Sequence, residues 1–178
     1  GQLFLKTFYL QRNFEQQLPY PGDSLIAYDR DYYGASIDFH SEHTIAGLPL
    51  RYTAGVEGRR QADDRQRREV SFEGNIGTLS ERERQTATSL GVFGQADVDL
   101  SESVTLSSGL RFDRVRLSID DDFISDGDQS GKQVYREWSG SAGLSYRYQP
   151  LHQVYANISS AFETPTFSEF ANPAVGGG

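Results

Sequence analysis

The chain has no cysteine and no methionine. The first absence excludes a disulfide scaffold, thiol chemistry and cysteine-ligated metal. The second means that the chain does not carry its own start residue. Gly1 leads straight into Leu3-Phe4-Leu5 with no leader ahead of it, so an internal fragment of a longer protein is expected. No run of about 18 apolar residues occurs, which excludes a transmembrane helix. Mean hydropathy is low at -0.57. There is no excess of positive charge either: 17 basic against 25 acidic residues give a net charge of -8. Phosphate-backbone binding needs a basic surface, so nucleic acid is not expected as a partner. Also missing are a Gly-x-Ser-x-Gly elbow, a phosphate loop, zinc spacing and any Ser-His-Asp constellation. His40, His43 and His152 show no metal spacing. Neither an enzyme nor a resident cofactor is expected.

What is present is a rhythm. In residues 91–100, Val92, Ala96, Val98 and Leu100 alternate with Gln95, Asp97 and Asp99. After a tight turn the pattern resumes with Val104, Leu106, Leu110 and Phe112 against Thr105, Ser107, Arg111 and Asp113. Successive side chains of a strand point to opposite faces, so one face is apolar and the other charged. Seven strands are expected, at residues 2–13, 31–41, 50–60, 86–99, 104–117, 135–148 and 153–162. The connections at 42–49, 100–103 and 149–152 are short. Those at 16–28, 61–85 and 118–134 are long and polar. Short periplasmic turns alternating with long extracellular loops are the pattern of an outer-membrane β-barrel. Low mean hydropathy is no objection, because only every second residue of a barrel strand meets lipid.

The two faces can be named. Apolar positions are Tyr33, Ala35, Ile37 and Phe39; Leu50, Tyr52, Ala54 and Val56; Trp138, Ala142, Leu144, Tyr146 and Tyr148; and Val154, Ala156, Ile158 and Phe162. Strand one is ambiguous: Leu3, Leu5 and Tyr9 compete with Phe4, Phe8 and Leu10. Lys6 is placed inward, because lysine at mid-bilayer costs roughly 2–4 kcal/mol. The opposite face supplies the lumen-facing candidates Arg51, Glu57, Asp97, Arg111, Asp113 and Arg147. So many charges do not fit a small dry core. Trp138 and Phe162 at the loop end, and Tyr146 and Tyr148 at the turn end, lie where aromatic girdles belong. Even parity on strands six and seven suits a three-residue loop at 150–152. That register sets Tyr148 against Val154, Leu144 against Ile158 and Gly140 against Phe162.

The C-terminal string from Ala161 to Pro173 is the most specific motif. Pro165 ends its strand, and Phe162, Glu163, Pro165 and Glu169 stand out within it. Together with Leu110-Arg111-Phe112-Asp113 and Tyr155-Ala156-Asn157, it resembles the barrel of TonB-dependent outer-membrane receptors. Gly55-Val56-Glu57 ahead of Asp63-Asp64 is a fainter echo. The resemblance implies a bacterial outer-membrane protein with a barrel of about 22 strands and a plug in its lumen. It implies uptake of a scarce nutrient such as a ferric siderophore, energised through TonB. The implied partners are outer-membrane lipid, a plug domain of the same parent chain, TonB acting on an N-terminal part, and the small-molecule ligand. The alternative is a small structural or porin-type barrel without TonB coupling.

On this reading residues 1–178 are all-β. They form an antiparallel up-and-down meander and one open wall section of a large transmembrane barrel. Strands one and seven would run parallel, so the meander cannot close on itself.

Two charged stretches remain. Arg59, Arg60, Arg67 and Arg68, with Arg65, are candidates for attracting an anionic ligand in an extracellular loop. The plainer reading is a solvated hairpin balanced by Asp63, Asp64, Glu69, Glu81 and Glu83. Folding it about Asn75-Ile76 sets Arg68 against Glu83 and requires a bulge to rejoin the lower register. Asp120-Asp121-Asp122 and Asp126-Gly127-Asp128 are calcium-like in composition only and read as an acidic surface loop.

Overall fold

The computed structural model describes residues 1–167 and 169. Seven strands form one sheet in sequence order, every neighbouring pair antiparallel. They are β1 (Gln2–Gln17), β2 (Gly22–Ile45), β3 (Leu48–Val70), β4 (Ile76–Ser101), β5 (Val104–Asp121), β6 (Gly131–Gln149) and β7 (His152–Ser159). Among the described residues β1 and β7 pair on one side only, so the sheet is open at both edges.

Several strands are far longer than the alternation alone indicates. β2 has 24 residues and β4 has 26, whereas about 9–11 tilted residues cross a bilayer. Residues expected in the long polar connections are mostly strand. The ladder continues outward through them to loops at 18–21, 71–75 and 122–130. Polar residues on both faces conceal such an extension, because the period-2 signal needs an apolar side. The short connections are tighter than expected. Two residues, Ala46-Gly47, join β2 to β3, with φ of 53° and 82°. Positive φ at both central residues matches the right-handed strand twist.

The register aligns like with like across the whole sheet. One row runs Leu5, Ile37, Val56, Val92, Phe112, Trp138, each residue opposite the next. The adjacent row, on the other face, runs Lys6, Ser36, Glu57, Gly91, Asp113, Glu137. On β1 the ambiguity resolves with Leu3, Leu5 and Tyr9 on the apolar face. Lys6 is on the polar face with its Nζ 2.8 Å from Asp38.

The apolar row has nothing packed over it: exposure is 69% at Leu5, 50% at Val92 and 63% at Trp138. The buried apolar residues, Leu25, Ala27, Val70, Leu117 and Ile119, all lie in the hairpin extensions. Among the described residues the central band therefore has no core. Contiguous exposed apolar area on this scale requires a partner phase.

Three expectations of register change. β6 and β7 are joined by Pro150-Leu151, with an irregularity between Arg147 and Gln149. Tyr146 faces Val154 and Ala142 faces Ile158. Parity is kept and the pairing slides by two residues. β7 ends at Ser159, after which the Ser160 N–H still donates to the Gly140 carbonyl at 2.9 Å. Phe162 is thus beyond the ladder, not within it. In the β3–β4 hairpin the lower register persists up to Arg67 opposite Glu81, so Arg65 faces Glu83 and Arg68 faces Leu79. The irregularities fall on either side of Arg68, and the turn is 71–75.

Candidate functional site

The polar face holds a connected charge cluster. β3 contributes Glu57 and Arg59, β4 Phe93 and β5 Arg111 and Asp113. All sit at odd positions, which the register brings to one side. Arg111 donates to both Asp113 oxygens, each at 2.7 Å, and its Nη2 also donates to Glu57. Glu57 accepts a further bond from Arg59 at 2.9 Å. The guanidinium lies 5.8 Å from the centre of the Phe93 ring. Gly91, opposite Asp113, makes room for it, since a Cβ there would collide with the guanidinium. Lys6, Asp38, His40, Phe93 and the Arg111 cluster line a hollow of about 440 Å³.

The other lumen-facing candidates are also paired. Arg51 is bidentate to Asp99, at 2.6 and 2.9 Å. Asp97 accepts from the Ser107 hydroxyl. Arg147 donates to the Glu102 carbonyl at 2.6 Å. Sequence reasoning named these residues without most of their partners. Asp38 and Asp99 could have been found by asking which acids share the cations' parity. It also missed two rings on the polar face that cover glycines across the ladder, Phe8 over Gly34 and Phe93 over Gly55. Such pairing compensates the side chain a glycine lacks.

The arginine run is not one patch. Alternation sends Arg59, Arg65 and Arg67 to the polar face. Arg65 and Arg67 share Glu81 at 3.4 and 3.2 Å. These contacts match charge, but neither Nε makes a hydrogen bond. Arg60 goes to the other face, and Arg68 lies at the irregularity opposite Leu79. Glu83 is half-buried beside them, and burial, then the charge of Glu81, raises its carboxyl above the usual range.

The acidic loop uses its carboxylates on its own backbone. Asp121 accepts from the Phe123 and Gln129 N–H groups, and Asp128 from the Ser130 N–H. Among the described residues no three His, Asp or Glu are grouped to hold a metal.

In the C-terminal motif, Glu163 is exposed and Pro165 half-buried. Thr166 and Glu169 form a reciprocal cap. The carboxylate accepts the Thr166 N–H at 2.7 Å, and the Thr166 hydroxyl accepts the Glu169 N–H at 3.3 Å. The Thr-x-x-Glu spacing is the sequence signal for it. Ser168 and residues 170–173 of the motif lie outside the described residues. Of the girdle candidates, Trp138 is on the apolar face with its ring 5.0 Å from Phe112. Tyr146 shares that face between Val104 and Val154. Tyr148 sits at the β6–β7 irregularity, its ring 5.8 Å from His152.

What this arrangement of paired acids and cations offers is a charge-matched polar surface. A family model for the β-barrel of TonB-dependent receptor-like proteins matches residues 2–178. This chain belongs to that family. Its fold is similar to the ferric citrate transporter FecA in its unliganded form, with a TM-score of 0.83 and 16% identity. The match covers 94% of this chain and 26% of that one. It is also similar to the siderophore receptor PiuA from Acinetobacter baumannii, with a TM-score of 0.74, 14% identity, and coverage of 88% and 29%. A third is the ferric-catecholate import receptor Fiu from K12 E. coli, at 0.58 and 11%, with coverage of 76% and 24%. The chain thus spans about a quarter of the length of these structures. The family and these structures are receptors and transporters rather than enzymes.

Proposed function

We propose that residues 1–178 are a partial barrel domain, one wall of a TonB-dependent receptor in a bacterial outer membrane. The whole receptor takes up a ferric siderophore or a similarly scarce nutrient, with energy delivered through TonB. The observation that carries this reading is the division of one open sheet into an apolar face and a face of paired charges. On this reading lipid covers the first, and a plug domain of the same parent packs against the second. The hollow around Arg111 is then a contact for the plug, and the bare edges of β1 and β7 continue into further strands.

Uptake of radiolabelled ferric chelates by cells carrying the whole receptor tests this. Uptake is expected to require both the receptor and TonB. Saturable uptake that persists without TonB would return the reading to a porin-type barrel. Within the receptor, neutralising Arg111 is expected to reduce uptake more than neutralising Arg67. Equal and negligible effects would count against a plug contact at Arg111.

A further inference from the structure

The cations of this sheet divide largely by face. The exceptions are Arg84, at apolar-face parity but paired with Asp64, and Arg12 and Arg147 on the polar face, whose partners are aromatic rings and a backbone carbonyl. Among the described residues, Lys6, Arg30, Arg51, Arg59, Arg65, Arg67 and Arg111 share the polar face, and each has a carboxylate partner. Arg60, Arg114, Arg116, Lys132 and Arg136 share the apolar-face parity, are exposed, and have no ion pair or hydrogen bond from their side chains among the described residues. They lie directly outward of the apolar band. Arg114 and Arg136 are one row beyond the Phe112–Trp138 pair, Arg60 and Arg116 two rows, and Lys132 three. Each row is about 7 Å further along the strands.

Arg114 and Arg136 stand directly opposite each other. Like charges in that position destabilise a sheet unless an anion lies between them. Two and three rows out, Arg60, Arg116 and Lys132 line a hollow of about 250 Å³ with the hydroxyl-bearing Thr86, Thr88 and Ser118. Asp120 is the acid in the same hollow, and no ion pair joins it to these cations. This concentration of free positive charge stands in a chain whose net charge is -8.

We propose that this belt binds the phosphates of anionic lipid in the outer leaflet. The inference rests on the membrane reading above. The belt is continuous with the lipid-facing band and at headgroup height, where a basic side chain costs only about 0–1 kcal/mol and gains from anionic headgroups. Arg114 and Arg136 take one phosphate from two sides. Arg116, Lys132 and the hydroxyls supply donors for a second, so a lipid with two phosphates fits better than one with a single phosphate.

The test uses the whole receptor in lipid nanodiscs, with bisphosphorylated lipid A, its monophosphorylated form and inorganic phosphate as probes. Retention of each lipid is read by native mass spectrometry. The bisphosphorylated lipid is expected to be held most tightly. Removing one cation should weaken it about 5-fold, and Arg114→Gln with Arg136→Gln roughly 25-fold. Arg116→Gln with Lys132→Gln should act similarly, and serves if the first pair disturbs assembly. Arg12→Gln, on the polar face, should leave retention unchanged. Equal retention of all lipids by wild type and both double variants would overturn the proposal. So would displacement of the lipid by millimolar inorganic phosphate, which would make this a free-phosphate site. Heat-modifiable gel migration reports barrel assembly separately. A receptor that never assembles in a membrane refutes the membrane reading, whereas an assembled one without lipid preference refutes only the belt.

Discussion

Replacing Arg111 by Gln removes the centre of the polar-face cluster and leaves two acids facing each other across the sheet. Arg111 makes three charge-assisted bonds, two to Asp113 and one to Glu57. Its side chain is 35% exposed, while those of Glu57 and Asp113 are 19% and 15% exposed. Bonds to charged groups contribute roughly 1.5–3 kcal/mol each when shielded, and solvent screening reduces this for a partly exposed group. The expected loss is about 2 kcal/mol, close to 30-fold in the folding equilibrium. Most of it comes from the stranded carboxylates rather than from the lost cation. Adding Asp113→Asn to Arg111→Gln should therefore restore about 1 kcal/mol, although it deletes a second charge. The measurement is urea-induced unfolding of the whole receptor in detergent, followed by gel migration. A double variant less stable than the single, or a single variant as stable as wild type, refutes the stranded-acid argument.

Gly91→Ala should cost about 1–2 kcal/mol by crowding the guanidinium, and should cost almost nothing in the Arg111→Gln background. Equal cost in both backgrounds would place the strain elsewhere. Ala46→Gly should stabilise the β2–β3 turn by about 1 kcal/mol, since alanine there sits at φ 53°; an unchanged urea midpoint would contradict this. Trp138→Ala should lose roughly 2–3 kcal/mol in lipid, where its ring and that of Phe112 share the apolar face. A smaller loss in detergent lacking a headgroup region would fit its place at the rim. Glu169 is held below the usual carboxylate range, first by the Thr166 N–H and then by its hydroxyl. A lowered acid stabilises above its unfolded pKa and loses that contribution as pH falls through the folded value. Slow exchange of the Thr166 amide should thus persist at neutral pH and disappear in acid, and Glu169→Ala should remove it at every pH.

How much of this was legible in the chain follows from the period-2 signal. Between Leu90 and Phe112 one parity is mainly apolar and the other, Phe93 apart, polar or glycine, so strand, face and neighbour pairing follow from the letters. The signal disappears where both parities are polar. Residues 61–85 look like loop, yet they form the outer half of a hairpin whose ladder continues without interruption to Arg67. Strand identity there is inherited from register lower down, which no local window contains. Parity survived between β6 and β7 because a one-residue slip would set the apolar residues of one strand beside the polar residues of the other. The two-residue slide did not violate parity, so nothing in the pattern could reveal it. Face assignments were therefore more secure than turn lengths. The arginine run shows the same limit: five arginines close in sequence read as one patch until alternation divides them.

The two faces reach stability by opposite routes, and this explains why the described residues form almost no core. Most cations of the polar face are paired with an acid of their own or a neighbouring strand, while Arg12 stacks on Phe14 and Tyr28 and Arg147 donates to a backbone carbonyl. On the apolar face within the band, charge is absent and the side chains end in exposed methyls and rings. Among the described residues, buried apolar side chains occur in the hairpin extensions, around Leu25, Ala27 and Val70, which the proposed membrane reading sets beyond the bilayer. On that reading the sheet covers its own apolar groups there, and burial begins where the lipid-covered band ends. The sequence of environments along β2, from exposed Phe39 and Ile37 to buried Ala27 and Leu25, then follows the proposed passage from lipid to the outer hairpins.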